Sequence, residues 1–288
     1  MRYTSRIAVI QARAARIDAA ISRQAVGTLP AVSGVMDPIS RRRFLATLAA
    51  VNSSASLVDA QFAASGDALS REARDRMTPA RVIDELKRGN ERFCDGAGEA
   101  YDYRRQQRMT ASGQYPAAVI LGCIDSRAPA EIIFDCGIGD LFNARIAGNV
   151  VNDDLLGSLE FSCVTAGAKA IVVFGHTACG AIKGAIDNVK SGHLTTLLAH
   201  ITPAVAETTF VGKRSSTNTT FVDAVARTNV RRSVDAIRRG SVQLADLEKR
   251  GEIQIAGAMY DVATGVVEFI DVSGIRLQQH IIPRHRHA

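Results

Sequence analysis

An apolar run, Ala117-Ala118-Val119-Ile120-Leu121, closes on Gly122 and is followed at once by Cys123, Asp125, Ser126, Arg127 and Pro129. A short continuous apolar run bounded by Gly and Pro reads as a buried strand. Open parallel sheets build their sites at the carboxyl ends of such strands. A thiol, a carboxylate and a guanidinium within five residues are hard to explain as packing. The pattern recurs downstream: Ala170 to Phe174 ends in Gly175, and His176-Thr177-Ala178-Cys179-Gly180 follows directly.

Between and around these runs the spacing is helical. Thr78-Pro79 marks a helix start, with Val82, Ile83, Leu86 and Phe93 recurring to about Cys94. A polar stretch holding Tyr101, Tyr103, Met109 and Gln114 leads to the first strand. A short helix is expected over residues 130–134 and a second strand over 141–146, with Ala147-Gly148-Asn149 as its turn. Asn152 or Asp153 caps a helix through Leu155, Leu156, Leu159, Phe161 and Val164. A helix begins after Cys179. Residues 194–209 and 219–240 are helical by pattern, the second with Arg231/Arg232 and Arg238/Arg239 on its solvated side. Residues 252–260 and 266–272 alternate as a final pair of strands around the Thr264-Gly265 turn. Strands alternating with helices predict an α/β fold with a mainly parallel central sheet, flanked by helices, and an antiparallel edge from the last two strands.

The 288 residues are 47% hydrophobic and 22% charged, an ordinary globular balance. The formal charge of +6 is concentrated in residues 1–66, where eight arginines face three aspartates. The rest is close to neutral and lacks the basic footprint that a nucleic-acid partner requires. No stretch approaches the roughly 20 apolar residues of a spanning helix, so stable membrane insertion is not expected. Ser40-Arg41-Arg42-Arg43-Phe44-Leu45 resembles a twin-arginine export signal, followed by a moderately apolar run and small residues suited to cleavage near Ala60 or Ala64. Met36 would then be the start. The alternative is a basic amphipathic N-terminal helix. Segment 1–66 is accordingly set apart from a single catalytic domain over 67–288. Export by this route would place the protein in a periplasm; the alternative is the cytoplasm.

Five scattered cysteines are not a disulfide framework. Cys123, His176 and Cys179 stand at two strand ends, and neighbouring strands lie about 4.8 Å apart. The three can therefore converge on one ion. Two thiolates and an imidazole suit zinc, and three protein ligands leave the open position of a catalytic site. Cys94 and Cys163 lie on apolar helical patterns and are expected to pack. Cys136, in a loop, is a weaker candidate for a fourth ligand. His193 and His200 are read as surface or core residues. His280, His285 and His287 form a basic, solvated tail.

Cys123-Ile124-Asp125-Ser126-Arg127 and Gly175-His176-Thr177-Ala178-Cys179-Gly180, 53 residues apart from Cys123 to His176, resemble the two signatures of the β-class carbonic anhydrases. Residues 142–149, Asn229-Val230-Arg231 and Gly257-Ala258-Met259-Tyr260-Asp261 fit the same family, so the likeness spans about residues 78–275. It implies one zinc per chain on Cys123, His176 and Cys179, and reversible hydration of carbon dioxide to bicarbonate and a proton by attack of zinc-bound hydroxide. Asp125 and Arg127 would form the catalytic dyad, with Asp125 either orienting the hydroxide or ligating zinc in a closed state. Gln114, Phe142, Phe161 and Gly180 would be the substrate-binding positions. Phe161 stands where many members carry Tyr, and Cys136 where Gln is common. The resemblance also implies a homodimer or homotetramer with its site near the interface. Two other readings accompany it: hydrolysis of carbonyl sulfide or carbon disulfide on the same ligand set, and a structural or redox-sensing zinc closed by Asp125.

Overall fold

Each of the first three strands is laid down by one of the apolar runs. The computed structural model describes residues 66–272; the export-signal motif, Met36 and the C-terminal histidines lie outside them. Helix α1 (Arg71–Arg76), α2 (Pro79–Asp95) and α3 (Tyr103–Met109) precede β1 (Ala118–Gly122). Then come α4 (Ala130–Ile133), β2 (Leu141–Arg145), a 3-10 turn (Ala147–Asn149), α5 (Asp153–Glu160) and β3 (Ala170–His176). Helices α6 (Gly180–Ile186), α7 (Gly192–Ala199), α8 (Thr202–Glu207), α9 (Thr219–Gly240) and α10 (Val242–Lys249) lead to β4 (Gln254–Tyr260) and β5 (Val267–Ile270). The sheet order is β2-β1-β3-β4-β5. The first four strands are parallel, and β5 pairs antiparallel with β4. β1 and β3 are buried along their whole length, as strands covered on both faces must be.

The two faces carry separate cores. Val119 and Leu121 of β1, and Cys123 just past it, look to one side, where the same core holds Phe221, Val222, Val225, Val230, Val234 and Ile237 of α9. Ala118 and Ile120 look to the other, against Val82, Ile83 and Leu86 of α2. Each of these fully buried aliphatic side chains contributes roughly 1.5–3 kcal/mol by leaving water. Helix α9 can lie close to the sheet because the penultimate residue of β3 is glycine: a Cβ on Gly175 would stand 2.5 Å from Val230 Cγ2.

The sequence-predicted α/β architecture is the one observed. Thr78 caps α2, accepting from Arg81 N at 3.2 Å. Four local expectations need correction. Residues 194–209 are two helices, not one, because Pro203 lacks the N–H that would bond back across the junction and instead opens α8. The helix over Leu155 stops at Glu160, and Phe161–Thr165 continue as a wider π turn. Cys94 is exposed in the last turn of α2 rather than packed. Cys136 is buried in the core on the α2 side of the sheet, its thiol donating to Phe134 O, so it cannot join Cys123 on the opposite face. Cys163 does pack in the core, and His193 and His200 are on the surface.

Candidate metal centre

Cys123 is the first residue past β1, His176 is the last residue of β3, and Cys179 caps α6. β1 and β3 are adjacent and parallel, so both loops leave the same edge of the sheet. The two Sγ atoms and an imidazole nitrogen all lie within 4.8 Å of one another, and all three residues are buried. His176 Nδ1 lies 2.9 Å from Thr177 O and donates to it. This leaves the lone pair of Nε2 facing the thiols, and Nε2 is a buried atom with no hydrogen-bond partner. A buried imidazole nitrogen without a partner is costly. A soft dication among two thiols and an imidazole would satisfy it, and the donor set fits zinc.

The electrostatics are those of a site prepared for anions. Cys123 is pushed well down, chiefly by the hydrogen bond from the Cys179 thiol, with His176 and the Gly148 N–H assisting against burial. Cys179 is pushed far up because its proton is the one Cys123 uses, and burial opposes a second anion. Two N–H groups of the first turn of α6, from Ala181 and Ile182, work the other way and favour its thiolate. His176 is raised: burial alone would lower it, but the neighbouring Cys123 outweighs that.

Asp125 stands beside this group. Its Oδ1 accepts from Arg127 Nε at 2.9 Å and from Arg127 N at 3.0 Å, and its Oδ2 from Arg127 Nη2 at 2.8 Å. The guanidinium holds the carboxyl well below the usual carboxylate range. Asp125 Oδ2 is 3.9 Å from His176 Nε2. The carboxylate therefore borders the three-residue group while being turned onto Arg127. Gly180 follows as the exposed first residue of α6.

The remaining sequence-predicted positions are not brought to this point. Phe142 and Phe161 meet edge to face, ring centroids 6.2 Å apart, in a groove of about 510 Å³ shared with Val119, Asn143 and Ser158. Phe142 pairs with Val119, four residues before Cys123, which is about 13 Å along the strand. Gln114 is exposed and precedes the amino end of β1, whereas Cys123 follows its carboxyl end.

Several supports were not singled out in the sequence. Arg145, in β2, donates from Nε to Cys123 O at 2.8 Å and from Nη2 to Asp125 O at 2.6 Å. Gly148 N donates to Cys123 Sγ at 3.3 Å. Asp223 accepts from Ala178 N at 3.0 Å, securing a residue at φ 56° between His176 and Cys179. Arg145 and Gly148 fall inside residues 142–149, the stretch that fits the family resemblance. Nothing local marks Asp223.

An α/β protein with a thiolate–imidazole centre at the carboxyl edge of a parallel sheet is what fold and site define together. The family model described as carbonic anhydrase matches residues 118–267. Carbonic anhydrase 2 of Mycobacterium tuberculosis is 35% identical over 185 residues, covering 62% of this chain and 87% of that protein. The carbonic anhydrase of Mycolicibacterium smegmatis is 34% identical, covering 64% and 89%. A solved β-carbonic anhydrase of Aspergillus fumigatus superposes with a TM-score of 0.53 at 27% identity, over 68% of this chain and 91% of that one. The chain belongs to the β-class carbonic anhydrases.

Proposed function

We propose that this chain hydrates carbon dioxide reversibly to bicarbonate and a proton, with one zinc held by Cys123, His176 and Cys179. The observation that carries the reading is the convergence of those three ligand atoms within 4.8 Å around a buried Nε2 with no partner, next to an ionised Asp125. When bound, zinc supplies a Lewis acid that brings the pKa of a water down towards about 7.

The chain's own residues do the rest. Asp125, fixed through three bonds from Arg127, accepts a hydrogen bond from the attacking oxygen and turns its lone pair towards the carbon of the substrate. Arg145 holds the main chain of both Cys123 and Asp125, so ligand and orienting group keep one spacing. The N–H groups of Gly148, Ala181 and Ile182 draw charge from the two sulfurs, which offsets the strong donation expected of thiolates. The balance is one water and one carbon dioxide to bicarbonate and a proton, which passes to buffer.

Phe142 and Phe161 offer an apolar wall suited to carbon dioxide, and Gln114 a hydrogen-bond donor suited to bicarbonate. Both features lie away from the ligands within one chain, so they serve the reaction only if a second copy supplies them; a homodimer or homotetramer follows from the proposal. Export through the Ser40–Leu45 segment is part of the same reading and is tested by fractionating cells expressing the full chain and its Arg41→Lys/Arg42→Lys/Arg43→Lys variant.

The deciding experiment is stopped-flow hydration of carbon dioxide between pH 6.5 and 9 on protein with quantified zinc. Turnover proportional to zinc, at one per chain, supports the proposal. A fully loaded protein without hydration activity overturns it.

A further inference from the structure

We propose that Asn229, with Ser233 one turn further along α9, is a positioning residue for the Cys123 sulfur: the pair fixes the turn that aims the Gly148 N–H at that atom. The inference rests on the ligand assignment made above and adds a determinant of how tightly the thiolate holds zinc and how much charge it donates.

Helix α9 faces the sheet with an almost wholly apolar surface, Phe221, Val222, Val225, Ala226, Val230, Val234 and Ile237. Asn229 and Ser233 interrupt it, 2% and 5% exposed. Four residues apart, they lie on one face of the helix. Burying an amide and a hydroxyl there costs stability unless both are bonded. Both are bonded to the same short turn: Asn229 Nδ2 donates to Gly148 O at 2.8 Å and Ser233 Oγ to Asn149 O at 3.0 Å. Two successive carbonyls are thus held by two successive polar side chains of a distant element.

The turn needs such restraint. Gly148 has φ 70° and Asn149 φ 41°, two consecutive left-handed residues, a conformation that Gly and Asn tolerate best and that the surrounding chain must hold in place. Room around it is scarce, since a Cβ on Gly148 would stand 2.5 Å from Ile201 Cδ1 and 3.3 Å from Ala181 Cβ. The product of the conformation is the Gly148 N–H, directed at Cys123 Sγ from 3.3 Å. An N–H donated to a thiolate withdraws charge from the sulfur. Releasing the Gly148 carbonyl lets its peptide planes rotate, lengthens the N–H···S contact and leaves a more basic sulfur at the metal. Partners of this kind, one bond removed from a ligand, typically change metal affinity by roughly 10- to 100-fold.

The test uses the full-length protein as Asn229→Leu, which keeps the branched heavy-atom skeleton and removes the donor, and as Ser233→Ala. Each is loaded with cobalt(II) for its thiolate-to-metal charge-transfer band, and with zinc for competition against a chelator. Asn229→Leu should move the band to longer wavelength and weaken zinc binding about tenfold, with Ser233→Ala shifting both in the same direction by less. A folded Asn229→Leu protein with the parental band and affinity overturns the inference. Should Asn229→Leu fail to fold, an unmoved band in Ser233→Ala overturns it equally. A parental protein that takes up neither metal at one per chain would instead remove the ligand assignment beneath it.

Discussion

Asp140 gives a prediction whose size follows from its surroundings. It lies just before β2, fully buried. Its Oδ2 accepts from Gly137 N at 2.8 Å and its Oδ1 from Leu69 N at 3.3 Å, and no cation pairs with it in those bonds. Burial pushes its carboxyl up to about 6, against the pull of the two N–H groups. In the unfolded chain it titrates near 3.8. The folded state therefore binds the extra proton between those values, and stability falls as pH rises through that window. Slightly over two pH units at about 1.4 kcal/mol each come to about 3 kcal/mol lost above pH 6. About half of it falls between pH 5 and 8, where the metal centre can be kept loaded. Asp140→Asn is uncharged throughout and keeps one acceptor, so its own cost is a constant offset. Urea unfolding of zinc-loaded parent and variant should show the parent losing about 1.4 kcal/mol relative to the variant between pH 5 and 8, or a few degrees of Tm. A difference curve that is flat over that range refutes the reasoning.

Four further outcomes follow from the site. Cys123→Ser should lose zinc and hydration activity together; a variant with one zinc per chain and full turnover removes the ligand assignment. Asp125→Asn should retain zinc and lose about 10²-fold or more in turnover, whereas unchanged turnover would show that the Asp125–Arg127 pair does not orient the nucleophile. Arg145→Met removes two charge-assisted bonds to main-chain carbonyls at an exposed edge, so it should cost about 1–2 kcal/mol of stability and lower kcat more than it raises KM, as read in parallel unfolding and rate measurements. Light scattering should give a dimer or larger, and a fully active monomer would remove Gln114, Phe142 and Phe161 from the substrate site.

What could be read from the chain is what is encoded locally. The strand runs, the parallel sheet and the gathering of Cys123, His176 and Cys179 into one candidate metal site are legible because each of the three sits within three residues of a strand's end, and strand ends in a parallel sheet share an edge. The Asp125–Arg127 pair is legible for the same reason, its members being two residues apart. Helices α1 and α3 escaped notice because they are short and polar, held by caps rather than by an apolar stripe: Ser70 accepts from Ala73 N and Asp102 from Arg105 N. Cys94 is exposed despite its helical spacing, because spacing alone does not say where a helix leaves the sheet. The supports of Cys123 were hidden for a different reason. Arg145 reaches it across 22 residues of sequence, and Asn229 reaches its turn across 81. A buried Asn and Ser four apart in an apolar helix face was the available signal, since such a pair needs partners somewhere.

The two halves of the proposed active site are encoded differently, and this bears on how the enzyme must work. The candidate metal centre lies within one chain: Cys123, His176 and Cys179, the carboxylate that borders them, and the main-chain donors to both sulfurs come from the end of β3, the loops that follow β1 and β3, the Ala147–Asn149 turn and α6. The substrate wall is not. Phe142 and Phe161 face the same side of the sheet as Cys123, yet the register β1 and β2 share sets Phe142 opposite Val119, about 13 Å short of the ligands. Gln114 is further away still, before the amino end of β1. No rotamer change closes that gap, because the pairing of β1 with β2 is continuous from Ala118↔Leu141 to Gly122↔Arg145. If these residues bind carbon dioxide, association must supply them. In that case Phe142→Ala should impair turnover without changing zinc content, and mixing it with Cys123→Ser should restore sites in which one chain contributes the metal and the other the wall. Recovery of activity in the mixed oligomer is the expected result. Its absence, with mixed oligomers demonstrated, would mean that the wall residues act within their own chain or not at all.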